Sequence, residues 1–436
     1  MRTLSLSRAL DHALEPGSAG ARFSSNPAAV RAEKRGGGRG WRRLPQKRVA
    51  ETGRHLAPAA GIHAGRLFRA ARSILNSCNE ATMPGRYMTL DDFLARELDG
   101  KHDAAGAHRL RMVLGEIALA VRAITAMIER ITLYGGAGAG VDAKAAARES
   151  MMALCERSAY IAGYAAAGSN GTRATAAAVR GGYLLAFEAL DGAAQIAENG
   201  VAGSVFSVRE ATRESMDEDA REAAWLCSDG TPCAAAYALY GPSTQLVLTL
   251  GRGTHGFTLD RASGTFVLTH HAMRVSDEGV ELAIDGAREH AWEPPVQRYV
   301  RECRAGSVGA REREFSQRFG GCAVADLHRV LMRGGVGIVP REPRELQGTS
   351  GLRLVHAAQP LAMLVEQAGG AASTGRERVL DLRAGALDER VGVAMGAKSE
   401  VARLERYYGE YERGVDRPFD SPLFNERSLF RPEACA

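Results

Sequence analysis

Tyr183-Leu-Leu-Ala-Phe187-Glu188-Ala-Leu-Asp191-Gly192-Ala-Ala-Gln195 is the stretch on which the fold turns. Tyr183 to Phe187 is uncharged and built of aromatic and aliphatic side chains, the pattern of a buried strand. Glu188 and Asp191 follow just past the predicted strand end, three residues apart, and a glycine comes next. In open α/β sheets, ligands bind in the loops at the carboxyl ends of strands. Oxygen donors placed there suit Mg²⁺ or Mn²⁺, hard cations that act on phosphate esters. A strand ending in an acidic turn is also an ordinary structural feature, so the surrounding residues have to decide between the two.

Upstream, no Asp or Glu occurs from Arg157 through Phe187. Apolar residues at Leu110, Val113, Leu114, Ile117, Val121, Ile124, Met127, Ile128 and Ile131 predict a helix over 107–131, and a second follows over 142–158. Thr89 is placed to cap a shorter helix through Leu98. The glycine-rich segment from Leu133 to Gly140 is not followed by Gly-Lys-Ser/Thr, so it reads as a helix terminator and not as a nucleotide-binding loop. Downstream, strands are expected at Val201–Val208, Ala234–Tyr240 and Gln245–Leu250, and a hairpin at Gly256–Asp260 and Thr265–Thr269. His270 and His271 are neighbours, so on a strand they face opposite sides and cannot share one metal. The later chain predicts helices at 295–304, Cys322–Met332, Pro360–Gln367 and 400–414, and strands at Val336–Val339 and Leu352–Val355. Asp326, His328 and Arg329 read as part of a structural helix.

The chain has 436 residues, 45% hydrophobic and 25% charged, an ordinary globular balance with room for a large core. Its net charge of +5 is uneven: residues 1–86 hold 16 Lys and Arg against 5 Asp and Glu, leaving 40 against 46 for the remainder. The body is therefore mildly acidic, which argues against a nucleic-acid partner. The uncharged run from Gly230 to Gly251 is broken by Pro232, Gly241 and Pro242, so it predicts strand, turn and strand and no membrane span. Seven cysteines without a Cys-x-x-Cys pair indicate a reducing compartment. Cys227 and Cys233 lie close together, either as a redox pair or as two unrelated thiols. The first ten residues are hydroxylated, arginine-bearing and acid-free, like a transit peptide, and Arg22-Phe-Ser-Ser25 looks like a processing site. Arginine over lysine favours a mitochondrion over a chloroplast; a plain basic tail would leave the protein in the cytoplasm.

Several segments together resemble class I fructose-1,6-bisphosphatases. They are Phe187-Glu-Ala-Leu-Asp-Gly192, Leu133-Tyr-Gly, Val205-Phe, Ala235-Ala-Tyr-Ala-Leu-Tyr-Gly241, Val324-Ala-Asp-Leu-His-Arg329, and Leu352-Arg-Leu through Pro360 to Gly375. The match runs from Met88 to about Tyr408. The resemblance implies a layered α/β sandwich in two halves, residues 87–272 around the metal motif and 273–414 for the sugar phosphate. A basic leader at 1–86 and an extended tail at 415–436 flank them. It also implies a homo-oligomer, or a subunit of a larger assembly, that acts on a sugar bisphosphate with Mg²⁺.

The resemblance assigns Glu188 and Asp191 to metal and Gly192, Ala193, Arg318 and Arg353 to substrate, and it leaves no catalytic residue to name. Departures from the family cluster on the chemistry. The first Asp of the motif is Glu188, and the Ser-Ser after it is Ala193-Ala194. The family's paired glutamates fall in the acid-free span, and a later glutamate is Ala357. An aspartate falls near Lys144, with Asp142 and Glu149 as the nearest stand-ins. In the sugar-phosphate half, Ile284-Asp-Gly-Ala287, Phe319, Val339 and Gly351 replace residues the family uses. Mg²⁺ binding is therefore expected to be weak or absent. The expected protein is a catalytically impaired pseudo-phosphatase with a structural or regulatory role. The alternative is an active Mg²⁺-dependent phosphatase in which Asp326, Asp285 or Glu198 completes the metal site; a third reading is sensing of a sugar phosphate through Arg318 and Arg353.

Overall fold

The structure is a computed structural model that describes residues 87–99, 104–134, 142–169, 171–177, 182–211, 223–226, 232–342 and 350–415. The basic leader, the Gly135–Gly140 loop, Cys227 and the tail after residue 415 lie outside the described residues.

Eight strands form the first sheet: β1 (Ile161–Ala166), β2 (Thr172–Ala174), β3 (Tyr183–Asp191), β4 (Ala202–Glu210), β5 (Ala234–Tyr240), β6 (Thr244–Thr249), β7 (Thr254–Asp260) and β8 (Thr265–Met273). They lie in the order β2-β1-β3-β4-β5-β6-β7-β8. Only β1 and β3 run parallel; the other pairs are antiparallel. The alternation of side chains along a strand divides this sheet between two cores. Leu185, Phe187, Phe206, Ala236 and Leu248 face one way, against α1 (Leu90–Leu98), α2 (Ala104–Tyr134) and α3 (Ala143–Arg157). Leu184, Ala186, Val205, Ala235, Tyr237 and Val247 face the other way.

That second core is filled by two further helices that carry apolar side chains to the sheet, α5 (Ala323–Arg333) and α6 (Gln359–Gln367); α4 (Pro294–Arg304) lies further out. Beyond α5 and α6 stands a five-stranded sheet in the order β10-β9-β11-β15-β13. Its strands are β9 (Glu281–Ala283), β10 (Ser316–Arg318), β11 (Val336–Val339), β13 (Ala371–Ser373) and β15 (Val393–Gly396). Its outer face packs on α4 and α7 (Lys398–Glu412) through Tyr299, Val300, Leu404 and Tyr407. Helix, sheet, helix, sheet and helix thus alternate, the layered α/β sandwich expected. A small ribbon of β12 (Leu352–Arg353) and β14 (Arg390–Val391) sits beside the stack.

Local chemistry explains the boundaries. Thr89 caps α1, its hydroxyl accepting from the Asp92 amide at 3.1 Å, and Asp142 caps α3 by accepting from the Ala145 amide at 3.0 Å. Two expectations need correction. The strand predicted to end before Glu188 continues through Asp191, because β4 goes on pairing with it: Glu188 faces Val205 and Asp191 faces Gly203. The strand predicted for Leu352–Val355 stops at Arg353, and Leu354–Ala358 winds into a wide helical turn that leads into α6.

Candidate functional site

Between Glu188 and Asp191, β3 spends three residues where β4 spends two. This bulge decides the site. On a regular strand, residues three apart point to opposite faces; one extra residue restores the parity, so both carboxylates leave the same face. Ala189 and Leu190 stay with the helix-side core. Gly192 then turns the chain with a left-handed φ of 72°, and a side chain there would meet Cys322 Cβ at 2.8 Å.

The two carboxylates line a cavity of about 410 Å³ with Lys144, Asp285, Asp326, Arg353, Ala357 and other residues of both sheets and of α5. Glu188 is 7% exposed and its carboxylate is bracketed by cations. Lys144 Nζ lies 2.8 Å from Oε1, and Arg353 donates through Nη1 to Oε2 at 3.0 Å. Arg353 also donates through Nε to Asp388 at 2.9 Å, which holds the guanidinium in place. Asp191 is engaged differently. The Val324 amide donates to its Oδ2 at 3.3 Å and the Cys322 thiol at 3.4 Å, so it caps the amino end of α5. Burial raises its carboxyl above the ordinary range, against the pull of those two donors.

A divalent ion does not fit this donor set. Mg²⁺ asks for octahedral oxygens at roughly 2.0–2.1 Å, and the space beside Glu188 already holds an ammonium and a guanidinium. Among the described residues, no three of His, Cys, Asp and Glu converge closely enough to hold a metal. The acid-free strand β1 ends beside Glu188, the Ala167 amide donating to Phe187 O at 2.9 Å, and it offers only methyl groups there. Ala357 lines the cavity where the resemblance asks for a glutamate.

The carboxylates proposed as replacements are occupied or distant. Asp142 caps α3 and Glu149 is exposed. Glu198 is exposed on the short helix after Gly192. Asp285 accepts from the Ala287 amide at 3.2 Å. Asp326 does line the cavity, where burial pushes its carboxyl up to about 6 and the Gly320 amide donates to it at 2.9 Å. Of the expected substrate groups, Arg353 faces the cavity and Ala193 stays partly buried beside Gly192. Arg318, on β10, is exposed and does not line the cavity; its neighbour Phe319 does.

Sequence reasoning left two features out. Lys144 entered only as the place of a missing acid, although a long cation at that position is itself a signal. His356 lies in the turn after β12 at 2% exposure, and burial holds its imidazole down to about 4. Among the described residues, no group stands in good hydrogen-bond geometry to either of its ring nitrogens.

Comparisons with known proteins agree with this architecture. Residues 88–271 match the fructose-1-6-bisphosphatase N-terminal domain and residues 275–409 the C-terminal domain. A relative from Paraburkholderia phymatum, "Fructose-1,6-bisphosphatase class 1 3", is 42% identical over 369 residues, covering 79% of this chain and 98% of its own. Another from Methylacidiphilum infernorum, "Fructose-1,6-bisphosphatase class 1", is 45% identical over 58% of this chain and 70% of its own. Among solved structures, the holo form of Leishmania major fructose-1,6-bisphosphatase matches with a TM-score of 0.67 at 26% identity. It covers 74% of this chain and 100% of that one. The apo form gives a TM-score of 0.66 with the same coverage. Family enzymes generally use a divalent metal. By its two matched domains and its identity to these relatives, the chain belongs to the class I fructose-1,6-bisphosphatase family.

Proposed function

We propose that this chain is a catalytically impaired member of the family, kept for a structural or regulatory role in carbohydrate metabolism. The double neutralisation of Glu188 by Lys144 and Arg353 carries the reading. Removing one well-placed electrostatic group costs roughly 10²–10³ in rate. Here the paired glutamates and the later glutamate are gone, and the surviving carboxylates already hold protein cations and a helix end. Such losses are not additive, but they fall on one function, the holding of metal.

The same reading keeps the Gly192 and Ala193 amides and Arg353 as groups that meet a sugar phosphate. It assigns 87–272 to the metal-motif half and 273–414 to the sugar-phosphate half. It also carries the homo-oligomer, the absence of a nucleic-acid partner and the mitochondrial leader as proposals. No helix among the described residues is long and apolar enough to cross a membrane.

The second reading is an active Mg²⁺-dependent phosphatase acting on fructose 1,6-bisphosphate. Its support is the 42% identity to a relative named as that enzyme. It requires Lys144 and Arg353 to leave Glu188 when metal enters. A phosphate-release assay on fructose 1,6-bisphosphate, with and without Mg²⁺, separates the two. Impairment predicts a rate near background that neither Mg²⁺, Glu188→Gln nor Asp191→Asn changes. Mg²⁺-dependent turnover that falls on Glu188→Gln establishes the second reading.

A further inference from the structure

The residues that displace the metal are themselves cations, and they converge. Lys144 and Arg148 stand one turn apart on α3, so they share a face. Arg353 arrives from β12. At Gly168, just past β1, an added Cβ would lie 3.7 Å from Arg148 Nη1 and 3.8 Å from Arg353 Nη2. A glycine with a φ of 73° therefore marks the point where two guanidinium groups meet. Among the described residues, no carboxylate lies within ion-pair reach of Arg148. Lys144 and Arg353 thus hold Glu188 inside the cavity, while Arg148 stands outside its lining, beside Gly168; Asp388, the other partner of Arg353, is 63% exposed.

We propose that Lys144, standing where the resemblance places an acid and paired with Glu188 beside Arg353, is a tethered replacement for a divalent ion, so that the cavity takes a phosphoryl dianion without metal. This rests on the impaired reading above and adds to it what the cavity binds. A phosphate needs positive charge and donors from more than one direction. A family member built on metals obtains them from its ions, whereas here the Lys144 ammonium joins the Arg353 guanidinium and supplies them from the chain itself. Arginine presents parallel N–H donors that match phosphate oxygens, and lysine contributes a compact charge. Glu188 then serves as a positioning residue that holds Lys144 and Arg353 on the two sides of one carboxylate.

The test is calorimetric titration of the full chain with inorganic phosphate and with fructose 1,6-bisphosphate, each in chelator and in excess Mg²⁺. The proposal expects the same affinity in both conditions. It expects Lys144→Met to weaken binding at least about tenfold, the loss of one charge-assisted contact, and Lys144→Arg to retain most of it. Tighter binding of the bisphosphate than of phosphate identifies a sugar phosphate as the ligand; equal binding identifies a free phosphate site. Mn²⁺ titration followed by electron paramagnetic resonance is expected to show no bound ion in the wild type. Binding that appears only with Mg²⁺, no binding in either condition, or an unchanged affinity in Lys144→Met overturns the proposal. Phosphate release, measured on the same samples, tests the impaired reading separately: turnover with metal removes that reading, whereas lost binding in chelator removes this one.

Discussion

Glu188 has one negative charge and two cationic partners, and Asp326 has a proton to lose at an unusual pH. The first arrangement predicts that Glu188→Gln destabilises the fold by about 1–3 kcal/mol, because Arg353 loses its buried partner. The Lys144 contribution is small, since its side chain is 42% exposed. Urea denaturation checks this. Asp326 gives a prediction with a definite sign. Its carboxyl stands near 6 in the fold against an ordinary 3.8, so the native state binds the proton more tightly than the unfolded chain. Stability is full below 3.8 and is lost as pH rises through 6, a penalty of about 2–3 kcal/mol above that range. Asp326→Asn keeps an oxygen for the Gly320 amide and no longer ionises. It should melt higher than wild type at pH 8 by several degrees and equal it at pH 4, measured by thermal scans across pH.

At the scale of elements, β4 lies close against α5 beside the site. An added Cβ on Gly203 would lie 2.5 Å from Val324 Cβ, closer than real side chains approach. Gly203→Ala should therefore cost about 1–3 kcal/mol by pushing α5 outward, and Val324→Ala in the same chain should return most of it. Chemical denaturation of the single and double variants decides. This contact also explains what sequence reading missed. Apolar runs bounded by Gly and Pro exposed β5 and β11 to the residue, and apolar spacing exposed α2 within three residues at each end. The end of β3 was misplaced because apolar character stops at Phe187 while the hydrogen-bond ladder to β4 does not. Pairing of that kind is a long-range property with no local composition to mark it. The cations around Glu188 were hidden for the same reason, since Lys144 and Arg353 come from different halves of the chain and meet only after both sheets have stacked.

Across the whole molecule, the layer farthest from the site is held by charge as well as by packing. Arg311 reaches both oxygens of Glu400 at 2.6 Å, both side chains are almost wholly buried, and Tyr299 donates to the same carboxylate. The Arg311 guanidinium also stands over the Phe315 ring at 4.5 Å. Removing one member of such a pair leaves the other charged and dry. Glu400→Ala is expected to cost about 3–5 kcal/mol, and Arg311→Met with Glu400→Leu to recover much of it, as read from denaturation midpoints. None of this was visible in the sequence, where nothing in the run Arg311-Glu-Arg-Glu314 marks one arginine as buried. The layered sandwich, by contrast, was legible as what the resemblance implies, whereas apolar runs and helix spacing by themselves marked where elements lie and were silent about their neighbours.

The bulge in β3 has a genetic consequence. Losing one codon between Glu188 and Asp191 would remove the extra residue and leave two steps opposite two, so both carboxylates would still leave one face of a now regular strand and α5 would keep its cap. What the bulge adds lies on the other face, where Ala189 and Leu190 both pack with Phe187 and Phe206 and a regular strand would place one residue. This motif should therefore tolerate a frame-preserving loss at Ala189 better than a charged substitution at Leu190, which is wholly buried.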